Sequence, residues 1–235
     1  MKPIYILLFI SFFFSTELFS QQGLGVMVDR AQQALTDLGN RSSRKPKPRD
    51  IQGTHYFNEN FEVATLDYFG KELNDKGFMR YNAFRDEIEM ASTTTQNESD
   101  LILMQSKDIV PVISGEKYLY LPHRLEDGRA YIGYLILLYE GKKNTVYIKR
   151  HKVFMDEVIA RTGLENPFPP RFVDDIKIYV SKNGDTPTPL KQSKKAVSSF
   201  FKENSDRIRK FIKANKLKVS EPKAIIKIFE FADNL

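Results

Sequence analysis

Among its 235 residues the chain has no cysteine, no tryptophan and only three histidines. Without cysteine there can be no disulfide, no thiol catalysis, no Cys-ligated metal and no lipid-modified N-terminal cysteine. A compact body must therefore be held by its core, which a chain of this length can supply. His55, His123 and His151 are scattered and show no H-E-x-x-H or comparable ligand spacing, so neither a metal site nor a cofactor is expected. There is no G-x-S-x-G elbow and no S-x-x-K with its companion motifs. The one G-x-G, Gly23-Leu24-Gly25, does not follow a strand and so does not make a phosphate cradle. Apart from Ile4 to Phe14 no stretch is long and apolar; Tyr131 to Tyr139 comes closest and reads as a strand.

Apolar residues make up 41% of the chain and aromatics 12%, all of them Phe or Tyr. That content supports a real core, and the Phe/Tyr bias favours strands. Residues 1–20 read as a secretory signal. Lys2 gives a short positive start, Ile4 to Phe14 the apolar run, and Ser20 a small residue before a cleavage point at Gln21. No transmembrane span is expected once that signal is removed, which places the chain in the periplasm or at the cell surface. The net charge of +6 survives removal of residues 1–20, which carry one Lys and one Glu. Such a balance suits acidic partners or simply an anionic envelope.

Val28, Ala31, Leu35 and Leu38 have helical spacing and Gly39 ends the run. Arg41 to Asp50 then carries five basic residues and two prolines, the composition of a solvated linker or of a tether for anionic lipid or polymer. Residues 21–52 are thus a short helix plus a basic Pro-containing linker. Asn40 and Asn97 head N-x-S triplets, a pattern too short to carry weight.

Residues 53–190 read as a β-rich domain. Phe61, Val63 and Thr65 alternate with Glu62 and Ala64. Gly70-Lys71 and Asn74-Asp75-Lys76-Gly77 supply turns before a central strand from Gly77 to Met90. Neither face of that strand is cleanly apolar, so a bulge or half-burial is expected. Leu101 to Met104, Ile109 to Ile113 and Tyr118 to Leu121 are short strands of a meander. Ala130 to Tyr139 and Thr145 to Phe154 form a hairpin across Glu140 to Asn144. After the Pro-rich break at Asn166 to Pro170, Phe172 to Val180 is one more strand, closed by Asn183-Gly184. Residues 191–235 turn helical and pack on the same domain, with Ser193, Asn204 and Ser220 as candidate N-caps. Ile208, Phe211 and Ile212 form one apolar stripe; Ala224, Ile225, Ile228, Phe229 and Ala232 form another. The expected class is α+β: an antiparallel sheet or partly open barrel followed by two or three short helices.

Five short motifs lie between Gly53 and Asn234: G-T-H-Y-F-N-E-N-F from Gly53, R-Y-N-A-F-R-D-E-I-E from Arg80, L-Y-E-G-K from Leu138, P-P-R-F-V from Pro169 and I-K-A-N-K-L-K-V from Ile212. In these motifs the chain resembles a family of uncharacterised exported bacterial proteins. The resemblance implies export and a β-rich body ending in helices. It brings no activity, cofactor or catalytic residue with it.

Four residues are singled out for binding. Arg80, Tyr81 and Asn82 offer a guanidinium fork, a phenol and an amide on one strand, either for a ligand or to tie loops to the sheet. Glu87 shares a strand face with Glu89, yet two carboxylates fall short of the six or so oxygens a hard cation takes, and a solvated face paired with Arg80 and Arg85 is the simpler expectation. Asp174-Asp175 is a second acidic pair, with the two side chains expected on opposite faces. Between Lys191 and Lys218 ten Lys/Arg face two acids. No aromatics are interleaved there for base stacking, and nucleic acid is not an expected partner. The sequence therefore points to a non-enzymatic envelope component that binds or assembles with another envelope component, a protein before an anionic polymer. The rivals are an enzyme using Asp86, Glu87 or Asp174 on an envelope polymer, and a polyanion-binding module using the basic helices.

Overall fold

The computed structural model describes residues 51–159 and 167–235, with the backbone alone at 74 and 75. The expected signal, and the helix and linker expected over residues 21–52 apart from 51 and 52, lie outside the described residues; Gln52 pairs with Arg171 rather than lying in a linker. Asp50–Leu235 forms one compact unit.

Ten strands form its frame: β1 (Glu62–Tyr68), β2 (Lys71–Asn82), β3 (Glu87–Ala91), β4 (Leu101–Ile102), β5 (Ile109–Ile113), β6 (Glu116–Arg124), β7 (Ala130–Glu140), β8 (Asn144–Met155), β9 (Arg171–Lys182) and β10 (Thr188–Leu190). All neighbours are antiparallel, in the order β10-β9-β8-β7-β6-β5-β1-β2-β3-β4. The sheet is not closed into a barrel. Three helices follow: α1 (Lys194–Phe200), α2 (Ser205–Ala214) and α3 (Pro222–Asp233). None is long and apolar enough to cross a membrane.

Several local expectations hold, each for its own reason. The β7–β8 hairpin forms across Glu140 to Asn144, and Asn183 and Gly184 take the positive φ values, 50° and 81°, that their residue types tolerate. Ser193 caps α1, its hydroxyl accepting from the Ala196 N–H at 3.2 Å. Asn204 precedes α2 without a side-chain cap bond. Ser220 does not cap α3; Glu221 takes that position and Pro222, preset in φ and needing no N–H partner, opens the helix.

Two readings of the central stretch are corrected. Asn74 to Gly77 is not a turn but lies inside one continuous β2. The register against β1 passes from Ala64↔Gly77 to Leu66↔Leu73, so two extra β2 residues are taken up there as a bulge. Gly77 to Met90 is not one strand: it folds back at Ala83 to Asp86 into the β2–β3 hairpin, with Asp86 at φ 59°. Asp is one of the few residue types that adopt this conformation locally, so no glycine marks the turn. In β1 the buried residue is Ala64, and Val63 is half exposed, the reverse of the face suggested by the apolar alternation.

β6 leaves β5 after two residue pairs, Val112↔Lys117 and Ile113↔Glu116. The sheet turns a corner here, and the β1–β5 half packs over one face of β6–β9. That face carries Tyr118, Tyr134, Ile136, Ile148 and Ile178, which share one core with Met79, Tyr81 and Ile88. The helices cover the same core through Val197, Ile208, Ile212, Ile225, Ile228 and Phe229. Burying a side chain of this kind stabilises the fold by about 1.5–3 kcal/mol. The opposite face of β6–β9 curls inward. His123 on β6 reaches Tyr179 on β9, ring centroids 5.1 Å apart, and the Arg124 N–H donates to the Pro187 carbonyl before β10. Leu135, Tyr147 and Tyr179 form a second, smaller core inside this half-barrel.

Candidate functional site

β7 and β8 are paired from Ile136↔Ile148 to Glu140↔Thr145, and no pairing is recorded between them beyond Ile136. From Lys149 onward β8 pairs with β9, while β7 back to Ala130 pairs with β6. The two strands fork, and the tip of the β2–β3 hairpin fills the fork. The Ala83 carbonyl accepts from the Lys152 N–H at 3.1 Å, and Asp86 Oδ1 from the Tyr134 N–H at 3.3 Å. Backbone groups that would be left unpaired by the split are thereby satisfied.

Asp86 is the hub of this junction. Its carboxylate meets Lys149 Nζ at 2.6 Å and accepts from the Tyr81 hydroxyl at 2.6 Å, with the Tyr131 hydroxyl at 3.5 Å. Lys149 Nζ also donates to the Tyr134 carbonyl at 2.9 Å. Both charged side chains are about nine-tenths buried. Burial lowers the Lys149 pKa against the pull of Asp86. Burial and the Asp86 charge push the Tyr81 phenol well up, so it stays a donor. Gly133 is required here, since a Cβ would run into the Asp86 carboxylate and the Tyr131 ring.

The four residues singled out from the sequence are dispersed around this hairpin. Arg80 and Asn82 meet at Glu89, directly across the hairpin on β3. Arg80 Nε bonds Glu89 Oε2 and Asn82 Nδ2 bonds Glu89 Oε1, both at 2.7 Å, and the Tyr56 hydroxyl donates to the same carboxylate. The remaining Arg80 nitrogens hold the carbonyls of Glu59 and Asn97, and the guanidinium lies between the Tyr56 and Phe61 rings at 4.1 and 4.2 Å. These bonds tie the entry segment and the loop after β3 to the sheet. Tyr81 faces the other way, to Asp86. Glu87 pairs across from Asn82 on the backbone and has no recorded side-chain partner among the described residues. The solvated acidic face expected around Glu87 and Glu89 is corrected for Glu89, which is buried at 5% exposure because the turn brings Arg80 opposite to it. Asp86, Glu87 and Asp174 are not gathered around a common partner: Asp174 is exposed and pairs with Lys152 at 2.6 Å.

On the curled face, at the mouth of the half-barrel, lies a cavity of about 210 Å³ lined by His123, Leu125, Tyr131, Lys149, His151, Asp175, Lys177 and Tyr179. Strand pairing places them: Lys149 is opposite Lys177, His151 opposite Asp175, and His123 opposite Tyr131. Such mouths are common sites for small ligands, and this one is below the usual 300–1,000 Å³ of drug-sized pockets. Lys177 Nζ lies 3.1 Å from both Asp175 and Glu126. Burial opposes its charge, but these two hydrogen bonds outweigh that and keep its pKa above the ordinary lysine value. His151 Nδ1 is 4.0 Å from Asp175; burial and then Lys149 hold its pKa low.

His123 is different. It is 1% exposed, and its Nδ1 lies 3.1 Å from the Leu121 carbonyl, which can only accept. Nδ1 therefore carries the proton. Burial lowers its pKa, so the ring is neutral and Nε2 is a bare acceptor. That Nε2 is buried and has no hydrogen-bond partner. Two of the three histidines thus converge on one cavity, while His55 sits elsewhere against Phe84 and Phe172. Among the described residues no group of three or more His, Cys, Asp or Glu could hold a metal ion.

Sequence reasoning missed this cavity. Its signal was the shared parity of Lys149 with His151 and of Asp175 with Lys177 on neighbouring strands, legible only once their register is known. The basic helices supply a separate feature: Lys194, Lys195, Arg209 and Lys213 line a groove of about 530 Å³ with Ile212 at its base. Phe200, Phe201 and Phe211 pack against the core, as their apolar face required. No family model, curated protein or solved structure matches the chain.

Proposed function

We propose that this protein is an exported, non-enzymatic binding component of a cell envelope, and that it takes up its ligand at the mouth of the β6–β10 half-barrel. One observation carries the reading: the buried, unpartnered Nε2 of His123 at a preformed cavity whose charged groups already hold one another. A buried acceptor without a donor costs roughly 1–3 kcal/mol, and such a cost is recovered when a ligand supplies the donor. Both lysines on the lining are held in ion pairs, Lys149 with Asp86 and Lys177 with Asp175 and Glu126, which supports a recognition site with preset charges. Export rests on the character of residues 1–20 and on the family resemblance.

The test has two arms. The tagged full chain is fractionated from its native cells and crosslinked in the envelope; recovery only with cytoplasm refutes the envelope assignment. Purified protein is then exposed to small molecules released from that envelope, and retained solutes are identified by mass spectrometry for the wild type and for His123→Phe. Retention that is equal for both refutes the assignment of the site.

A second reading is favoured by one specific feature, the cationic groove between α1 and α2, which suits an anionic polymer. Salt-sensitive binding of polyphosphate, lost in a Lys194→Ala/Lys195→Ala/Lys213→Ala variant, tests it. Binding unaffected by the triple change refutes it.

A further inference from the structure

We infer that the half-barrel mouth recognises a small, neutral, polyhydroxylated ring compound: a sugar unit, held by its hydroxyl edge and stacked on its C–H face. This inference rests on the binding reading above and names the chemistry of the ligand.

Three features of the cavity select that class. The first is the polarity of the buried, unpartnered group on the lining. Because the Leu121 carbonyl fixes the proton on Nδ1, Nε2 of His123 offers a lone pair and demands an O–H or N–H from whatever enters. A phosphate dianion or a carboxylate has only acceptors to present there and would leave Nε2 unpaired or repelled. The second is charge. Lys149 is neutralised by Asp86, and Lys177 by Asp175 and Glu126, so the cavity with its adjoining carboxylates has no cationic excess for an anion. Capture of an anion would require breaking an existing pair, whereas a neutral hydroxyl needs only to join it. Asp175 accepts, and the Lys177 ammonium donates, at positions that a ring bearing several hydroxyls can bridge. The third is the wall. Tyr131 and Tyr179 both pack edge-on against the His123 ring, at 5.4 and 5.1 Å, and Leu125 adds apolar surface. Aromatic rings beside hydrogen-bonding groups match a solute with one apolar face and one polar edge. The size agrees: about 210 Å³ admits a single ring unit rather than a chain of them.

The experiment follows the histidine rings of the full chain, labelled with nitrogen-15, by NMR during additions of methyl glucoside, N-acetylglucosamine, inorganic phosphate, acetate and glycine amide. The expected result is a saturable shift of His123 Nε2 with at least one of the two sugars and none with phosphate or acetate. His123→Phe keeps a ring between Tyr131 and Tyr179 but has no acceptor, and should weaken sugar binding at least tenfold. His151→Ala, at the more exposed rim, is the second variant in case His123→Phe fails to fold, and should weaken it several-fold. Saturable shifts with glycine amide, phosphate or acetate but not with the sugars would overturn the ligand class and leave a binding site standing. An unperturbed His123 across the whole series would overturn the ligand class and the site together. Sugar binding of equal strength in the wild type and in the folded variants would place the sugar elsewhere and overturn the inference.

Discussion

Replacing Asp86 by Asn tests the junction on which the whole β7–β8 fork depends. Asn tolerates the left-handed backbone that Asp86 adopts at φ 59°, and its amide oxygen can still accept from Tyr81. The change therefore removes the charge and sets an NH2 donor where Oδ2 faced Lys149. It leaves the Lys149 ammonium about nine-tenths buried, with the Tyr134 carbonyl at 2.9 Å and the Tyr131 ring at 5.8 Å as partners. Breaking a buried ion pair from one side costs roughly 3–5 kcal/mol. An upper bound follows from titration: forcing a lysine with an ordinary value near 10.5 to be neutral at pH 7 costs about 5 kcal/mol. We expect Asp86→Asn to lose about 3–4 kcal/mol in urea unfolding at pH 7. The double variant Asp86→Asn/Lys149→Met removes both charges and should recover to within about 1.5 kcal/mol of wild type. The sign with pH is fixed as well. In Asp86→Asn the folded Lys149 value lies below the unfolded one, so the unfolded chain binds the extra proton between them and the lost stability returns as pH rises toward 10. A loss below about 1 kcal/mol at pH 7, or no recovery in the double variant, would refute the claim that this pair is buried and mutually dependent.

Three further outcomes follow from the same structure. Gly133→Ala drives a methyl group into the Asp86 carboxylate and the Tyr131 ring, and should cost about 1–3 kcal/mol in denaturant unfolding. Arg80→Ala strips the buried Glu89 carboxylate of its ion-pair partner and should cost about 3–5 kcal/mol, lowering the melting temperature by on the order of 10 °C in calorimetry. For His123 and His151 the folded values lie below the ordinary 6.5, so their contribution is complete above about pH 6.5 and falls as acid protonates the unfolded chain first. Melting temperature measured from pH 8 to pH 5 should therefore drop less steeply in His123→Phe than in wild type.

Much of the frame could be read from residue order, because it depends on neighbours along the chain. The β7–β8 hairpin, β5, β9, the Asn183-Gly184 turn, the Ser193 cap and the apolar stripes of α2 and α3 are set by local alternation, turn chemistry and helical spacing. None of the four binding candidates lines the cavity, and three of them serve internal bonds: Arg80 and Asn82 grip Glu89, and Tyr81 grips Asp86. That partnership was hidden because the turn at Ala83 to Asp86 carries no glycine or proline, so two strands read as one. The cavity was beyond reach for a different reason. Its walls come from β6, β7, β8 and β9, and what brings His123 against Tyr179 is the curl of the sheet, not any spacing in the sequence. The pairing of Lys149 with Asp86 joins residues distant along the chain, and although the Leu121 carbonyl that holds His123 Nδ1 is only two residues away, the burial of that ring against Tyr131 and Tyr179 is set by β7 and β9. Sequence alone determined the strand-rich body with helices after it and most of its outer strands, but not the course of the central β2–β3 hairpin. Tertiary structure decided which charges cancel and that His123 Nε2 is left without a donor, since burial and register arise only when distant strands meet.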